Sequence, residues 1–156
     1  MKITIGITPE HLAEVAKSLN RLLADEHVLY VKTRRAHWNV VGADFLTKHR
    51  FFEEQYKELE EIIDDVAERI RTIGHYPEAT FAGFLEQTLL TEELGDDKSS
   101  AALMKNLLSD HETIIINLRK NIDRFDSELK DAATSDFITG LMATHEKMAW
   151  MLRAHL

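Results

Sequence analysis

The 156-residue chain predicts an all-α fold, a four-helix bundle with a long connection in its middle. Three observations carry this expectation. Only two prolines and six glycines interrupt a chain rich in Leu, Ala, Glu and Lys. Apolar residues recur three, four and seven positions apart through four long segments. The length suits one domain, read here as 1–156, large enough to bury about two-thirds of its unfolded surface.

Helix one is announced by Thr8 as a cap, Pro9 at the first helical position and Glu10 in the first turn, and should run to about residue 38. Its stripe of Leu12, Val15, Ala16, Leu19, Leu22, Leu23, Val28 and Leu29 is broad enough for a bundle. Lys32, Arg34 and Arg35 fall near its C-terminus, where the helix dipole favours cations. A short loop with Gly42 follows, and Asp44 is placed to cap helix two at Phe45, so the two helices should be antiparallel neighbours. Helix two should end near Ile73, with Gly74 beyond its end and Pro77 barring continuation. In residues 78–96, Phe81, Phe84, Leu85, Leu89 and Leu90 predict a short amphipathic helix, with TEELGDD as a turn. Helix three is expected from about Asp97 to Phe125, its Ile114, Ile115 and Ile116 implying burial on more than one side. His111, amid that face, reads as a core or interface histidine. Thr134 or Ser135 is available to cap helix four, which continues to Leu156. A connection as long as 74–96 can return along the bundle and leave helices two and three parallel.

Composition removes several functions. Without cysteine there are no disulfides, thiolate metal sites or cysteine nucleophiles. Glycine-rich phosphate loops, dinucleotide fingerprints, HExxH and GxSxG are missing too. No leader pattern opens MKITIGITPEH and no apolar run approaches eighteen residues, so a cytoplasmic protein without membrane contact is expected. A formal charge of −8 opposes nonspecific attraction to nucleic acid.

The acid is concentrated in one place. Residues 1–36 sum to +2, whereas residues 37–68 sum to −6, with eight carboxylates against one lysine between Glu53 and Glu68. Within this stretch His49 with Glu53, and Asp64 with Glu68, are pairs four residues apart, each on one helix face and able to hold one metal ion. At 1.5 Å per residue the pairs stand about 16 Å apart and cannot meet within one straight helix. Antiparallel pairing of helix two with its copy, about a centre near residues 58 and 59, would set the first pair of one chain against the second pair of the other. Two equivalent sites roughly 22 Å apart would result. His37 could fold back to add an imidazole. Such ligands suit iron, zinc or manganese rather than copper(I). The alternative is an ordinary solvated helix face with two surface histidines.

The sequence HWNV-x-G-x-x-F at 37–45, with His49, Glu53 and D-x-x-AERI-x-x-x-G at 64–74, resembles the signature of the Dps family, the DNA-binding proteins from starved cells or mini-ferritins. The likeness extends through LLADEHVLYVKTRRAHWNV, FFEEQY, Thr134 and Asp136, and EKMAWMLRAHL. It implies a ferritin-like four-helix bundle with a short extra helix between helices two and three, in a hollow homo-dodecamer. It further implies a ferroxidase that oxidises Fe²⁺, preferentially with hydrogen peroxide, and stores ferric mineral against oxidative damage. By the same resemblance His37, His49 and Glu53 are catalytic iron ligands from one subunit, and Asp64 and Glu68 are those from its two-fold partner. Glu53 stands where the family often has aspartate, and its longer reach would alter occupancy of the second iron.

Trp38 matches an aromatic beside the family's centre, an electron donor or shield, with interface packing as the alternative. Asp126, Asp131 and Asp136 are candidates for an ion-access pore at a three-fold axis; helix capping is the competing role for Asp131 and Asp136. DNA binding is expected to be weak or absent, since Lys2 is the lone lysine before Pro9 and twelve copies at −8 each would total −96. The resemblance implies a bacterial or archaeal cytoplasmic protein. The competing function is a structural, nucleoid-associated DNA-protecting oligomer with a mainly structural metal site, and zinc or manganese could fill the same ligands.

Overall fold

Thr8 holds an extended backbone and its hydroxyl accepts the His11 N–H at 3.3 Å, which starts α1 (Pro9–Asn39) where the cap and proline predict. The computed structural model describes residues 3–93 and 95–156. Lys2, and Leu94 of the expected TEELGDD turn, lie outside them. Helix α2 spans Phe45–Thr72 and ends at Gly74, whose φ of +91° an L side chain rarely adopts and where a Cβ would run into Ile3. The rings of Tyr30 and Tyr56, and of His37 and His49, meet across the pair, so ascending α1 faces descending α2.

The connection contains the expected short helix, α3 (Phe81–Gln87), capped by Thr80 through the Gly83 N–H at 3.0 Å. Phe84 turns inward and stacks on His27 of α1 at 3.9 Å, while Phe81 and Leu85 stay exposed. The chain then returns to the α1–α2 loop, where the Val41 N–H donates to the Lys98 carbonyl at 3.2 Å beside a parallel Val41–Ser99 bridge. Helix α4 (Ser100–Asp123) therefore begins at the end where α2 begins, and the two run parallel, as the long crossover predicts. A π-helical turn, Arg124–Glu128, and α5 (Ala132–Arg153) complete an all-α four-helix bundle with one extra short helix. Its centre is mainly apolar, with Leu19, Leu23, Phe52, Leu59, Ile70, Leu107, Ile114 and Phe125 fully buried. Each such side chain contributes on the order of 1.5–3 kcal/mol relative to exposure.

Three local expectations are corrected. Asp44 occupies the cap position of α2 but makes no capping bond; its Oδ2 accepts the Ser100 hydroxyl at 2.7 Å, tying α2 to α4. Helix α5 is capped by Asp131 rather than Thr134 or Ser135. Asp131 accepts the Thr134 N–H at 2.9 Å, while Thr134 is buried and holds Arg69 of α2 through its hydroxyl. Of the three isoleucines, Ile114 is buried but Ile116 is 55% exposed, so α4 presents one side away from the core.

The core also holds polar groups. Lys32 pairs with Asp110 between α1 and α4. His111 and His145 place their Nδ1 atoms 3.0 Å apart between α4 and α5, one necessarily donating and the other accepting. His145 Nε2 stands 2.9 Å from Glu26 Oε1 on α1 but lacks hydrogen-bond alignment, and Glu26 has no other partner. His111 is thus the core histidine that its apolar surroundings predict.

Burial, and then the neighbouring His145, hold His111 well below its ordinary value of 6.5. A histidine depressed in the fold stabilises it fully above the unfolded value and loses that contribution as pH falls below about 6.5, at about 1.4 kcal/mol per pH unit. Burial raises Asp25 and Asp110, which act in the opposite sense and are untouched by a change at His111. Denaturant unfolding of the wild type should therefore lose stability with acid more steeply, by about one proton, than unfolding of His111→Gln. Parallel acid limbs would contradict this assignment.

Candidate metal centre

His37 lies in the last turn of α1 and His49 one turn into α2, so the tight loop 40–44 folds the two imidazoles together. Their rings stack at 3.7 Å with 21° between planes. Each Nδ1 reaches the other residue's backbone carbonyl, His37 Nδ1 to His49 O at 2.7 Å and His49 Nδ1 to His37 O at 2.8 Å. A carbonyl only accepts, so both Nδ1 atoms carry hydrogen, and in the neutral rings both Nε2 lone pairs are free for a metal. Neither Nε2 has a hydrogen-bond partner among the described residues. Phe45 lies against His49 at 5.2 Å and Tyr56 sets its edge to His37 at 5.3 Å, fixing the pair from two sides.

Glu53, one turn beyond His49, is half-buried. Its Oε1 accepts from Lys57 Nζ at 2.6 Å, and this bond and charge, with smaller effects of His37 and His49, hold its carboxyl below the ordinary range. The carboxylate is ready to bind a cation and already has one. Asp64 and Glu68 lie further along the same unbroken α2, exposed and without a hydrogen bond or ion pair among the described residues. The structure thus brings His37 and His49 together with Glu53 a turn away, and leaves Asp64 and Glu68 apart, about 16 Å along the axis from Glu53 to Asp64. Among the described residues, no three His, Asp or Glu side chains of one chain are grouped to hold a metal ion.

The surroundings hold residues that sequence reasoning passed over. Arg34, one turn before Trp38, sets its guanidinium 5.0 Å from the Trp38 ring and 5.0 Å from that of Tyr56, and donates to the Tyr30 hydroxyl at 2.8 Å. Tyr30, Arg34 and Trp38 follow one another at four-residue steps and Tyr56 comes seven after His49, so their common face was legible as spacing. Trp38 is 61% exposed. Asp126 and Asp136 are exposed, whereas Asp131 is 1% exposed with its oxygens engaged by Thr134 and Arg69. In this chain Asp131 therefore serves the cap, the competing role offered for it by its place at the start of the helix.

The bundle with its crossover defines a ferritin-like protein, and residues 16–156 match the Ferritin family, the ferritin-like domain. A low temperature-induced protein of Nostoc sp. is 46% identical over 99% of this chain and 87% of its own. A DNA protection during starvation protein of Brevibacillus brevis is 41% identical over 91% of this chain and 94% of its own. The crystal structure of the Dps protein from Vibrio cholerae, described as a member of the ferritin-like diiron-carboxylate proteins, superposes with a TM-score of 0.88 at 30% identity, covering 98% of both chains. The chain belongs to the ferritin-like superfamily and, within it, to the Dps family.

Lys57 competes with any metal for Glu53. Lys57→Met should tighten Zn²⁺ binding to the assembled protein about threefold to tenfold by calorimetry, through removal of one ion pair and one nearby positive charge. Unchanged affinity would place Glu53 outside the metal's reach.

Proposed function

We propose that this protein is a ferroxidase and iron-storage mini-ferritin. Two copies of the chain complete each site, and twelve enclose the ferric product. Family identity supports a general role in iron oxidation and storage. The observation that carries the finer reading is the reciprocal clasp of His37 and His49, which leaves two Nε2 atoms unpaired among the described residues, with the Glu53 carboxylate one helical turn from His49. Asp64 and Glu68 of a two-fold partner would complete the set, and a site divided in this way leaves each chain without a closed ligand group.

The chemistry follows from the ligands. Imidazole nitrogens hold ferrous iron, while carboxylates stabilise the harder, more highly charged ferric product. Two ferrous ions give one electron each to one hydrogen peroxide, which takes up two protons and leaves as two waters. No hydroxyl radical is released on that route. Zinc or manganese would compete for the same atoms and block the reaction.

Access through a charged shell would follow electrostatics. Asp126 and Asp136, exposed around the start of α5, are proposed to draw cations to a three-fold pore. Asp126→Asn with Asp136→Asn should slow iron uptake severalfold at low ionic strength and remove its salt dependence. Uptake at the wild-type rate would exclude both residues from the route. The charge of −8 per chain disfavours DNA, and no helix among the described residues is long and apolar enough to cross a membrane, which fits a cytoplasmic place of action.

Anaerobic loading with ferrous iron, followed by peroxide in a stopped-flow absorbance experiment, tests the reading. His37→Gly with His49→Gly should lower the initial rate by about a hundredfold, with assembly intact, as loss of metal ligands requires. Equal rates would refute the assignment, and retention of no more iron than ligand sites would favour a structural metal site in a DNA-protecting oligomer.

A further inference from the structure

Arg34 is an unusual neighbour for a redox centre. It forms no ion pair among the described residues, and its Nε is buried without a partner. Its charge rests instead on aromatic rings, 5.6 Å from the centroid of Tyr30, 5.0 Å from Trp38 and 5.0 Å from Tyr56. Tyr56 in turn touches the ring of His37 edge-on at 5.3 Å. Tyr30 and Tyr56 meet edge to face at 6.1 Å, and Trp38 joins them through the guanidinium, so one cation is shared by three rings that begin at a proposed iron ligand.

Tyr56 is the oxidisable ring in contact with a proposed ligand, and Arg34 links it to Tyr30 and Trp38. When peroxide meets two ferrous ions, both electrons come from iron. When it meets only one, the second must come from elsewhere: peroxide, one ferrous ion, one phenol and one proton give one ferric ion, one phenoxyl radical and two waters. Trp38 would yield its electron as an indole radical cation. Either loss places positive charge, or a departing proton, beside Arg34.

We propose that Arg34 is a positioning residue that guards the aromatic shell, making oxidation of Tyr30, Trp38 and Tyr56 unfavourable so that peroxide draws its electrons from iron. Two physical effects act together. A guanidinium facing a ring is attracted by the electron-rich face and is repelled once that ring loses an electron. For Tyr30 the hydroxyl oxygen also accepts a hydrogen bond from Arg34 Nη1 at 2.8 Å, which places the positive charge at the atom where an oxidised phenol would become electron-poor, and the guanidinium cannot take the phenol proton. Trp38 is thereby a shield rather than a donor. This role takes its biological setting from the proposed ferroxidase reaction, but the guard itself is a property of the metal-free protein.

The molecule supplies its own reference. Within one chain Trp38 and Trp150 are about equally exposed, at 61% and 62%, yet among the described residues only Trp38 lies under a cation. Metal-free protein is exposed to photogenerated ruthenium(III) tris-bipyridine, a one-electron oxidant, and peptide mass spectrometry reads the modified fraction at each tryptophan. In wild type Trp38 should be oxidised less than Trp150. In Arg34→Gln and Arg34→Met the Trp38 to Trp150 ratio should rise about fivefold or more, and Arg34→Lys should restore it, as loss and return of one charge at this distance require. A ratio that does not change on neutralising Arg34 overturns the proposal. If neither neutral variant assembles, equal oxidation of the two tryptophans in wild type, each scaled by its solvent access from hydroxyl-radical footprinting of the same assembled protein, overturns it. A second arm adds peroxide to protein carrying one ferrous ion per site and measures radical signal per iron oxidised by electron paramagnetic resonance, with a severalfold rise expected in Arg34→Gln. Absence of iron oxidation in every protein would refute the ferroxidase reading while leaving the photochemical result to decide the role of Arg34.

Discussion

Burying a charge is costly unless a partner meets it, and α1 buries three. Asp25 accepts the Thr88 hydroxyl at 2.7 Å and the Leu89 N–H at 2.6 Å, which pins the end of the crossover. Glu26 faces His145 of α5 at 2.9 Å, and Lys32 meets Asp110 of α4. Each of the three faces a polar group from a different element, so a bundle with these helices exchanged or shifted by a turn would separate at least one of these contacts. Apolar burial supplies most of the stability and is tolerant of register; the buried polar pairs are what distinguish this arrangement from its neighbours.

That rigidity reaches the site. With α1 held by the core, the loop 40–44 has one way to return, and it brings His49 over His37 so that each ring is fastened to the other's main chain. Backbone carbonyls make good supports because helix geometry fixes them independently of any side-chain rotamer. The same clasp sets the tautomer of both rings. Around it Tyr30, Arg34, Trp38 and Tyr56 form a cationic aromatic wall. If a second copy completes the site, as proposed, an unassembled chain presents only separated ligands and should do little chemistry in isolation.

The places where sequence expectations needed correction share one cause. Asp44 and the cap of α5 were each read from immediate neighbours, and each is decided by contacts or backbone turns that local spacing does not show. Asp44 finds Ser100 fifty-six residues away. Asp131 can cap α5 because the π-helical turn before it, closed by Leu129 N–H to Arg124 O at 3.0 Å, leads through Lys130 in a left-handed conformation with φ of +59°. Lys32 looked like a C-terminal cation suited to the helix dipole, and its burial against Asp110 has no local signal.

The sequence by itself determined the helices, their ends at Thr8 and Gly74, the parallel crossover and the pattern of histidines and carboxylates along α2. These depend on interactions within a few residues, where spacing and capping chemistry act directly. The family likeness carried by HWNV and AERI was legible in the same way. Only the tertiary structure decided which polar groups are spent on the fold and which stay available. Asp131 and Arg69 of AERI hold α2 to α5, His111 and His145 hold each other, and His37 and His49 turn their free nitrogens away from the main chain that clasps them. Availability depends on what lies across the bundle, and helix periodicity shows which residues share a face without showing what that face will meet.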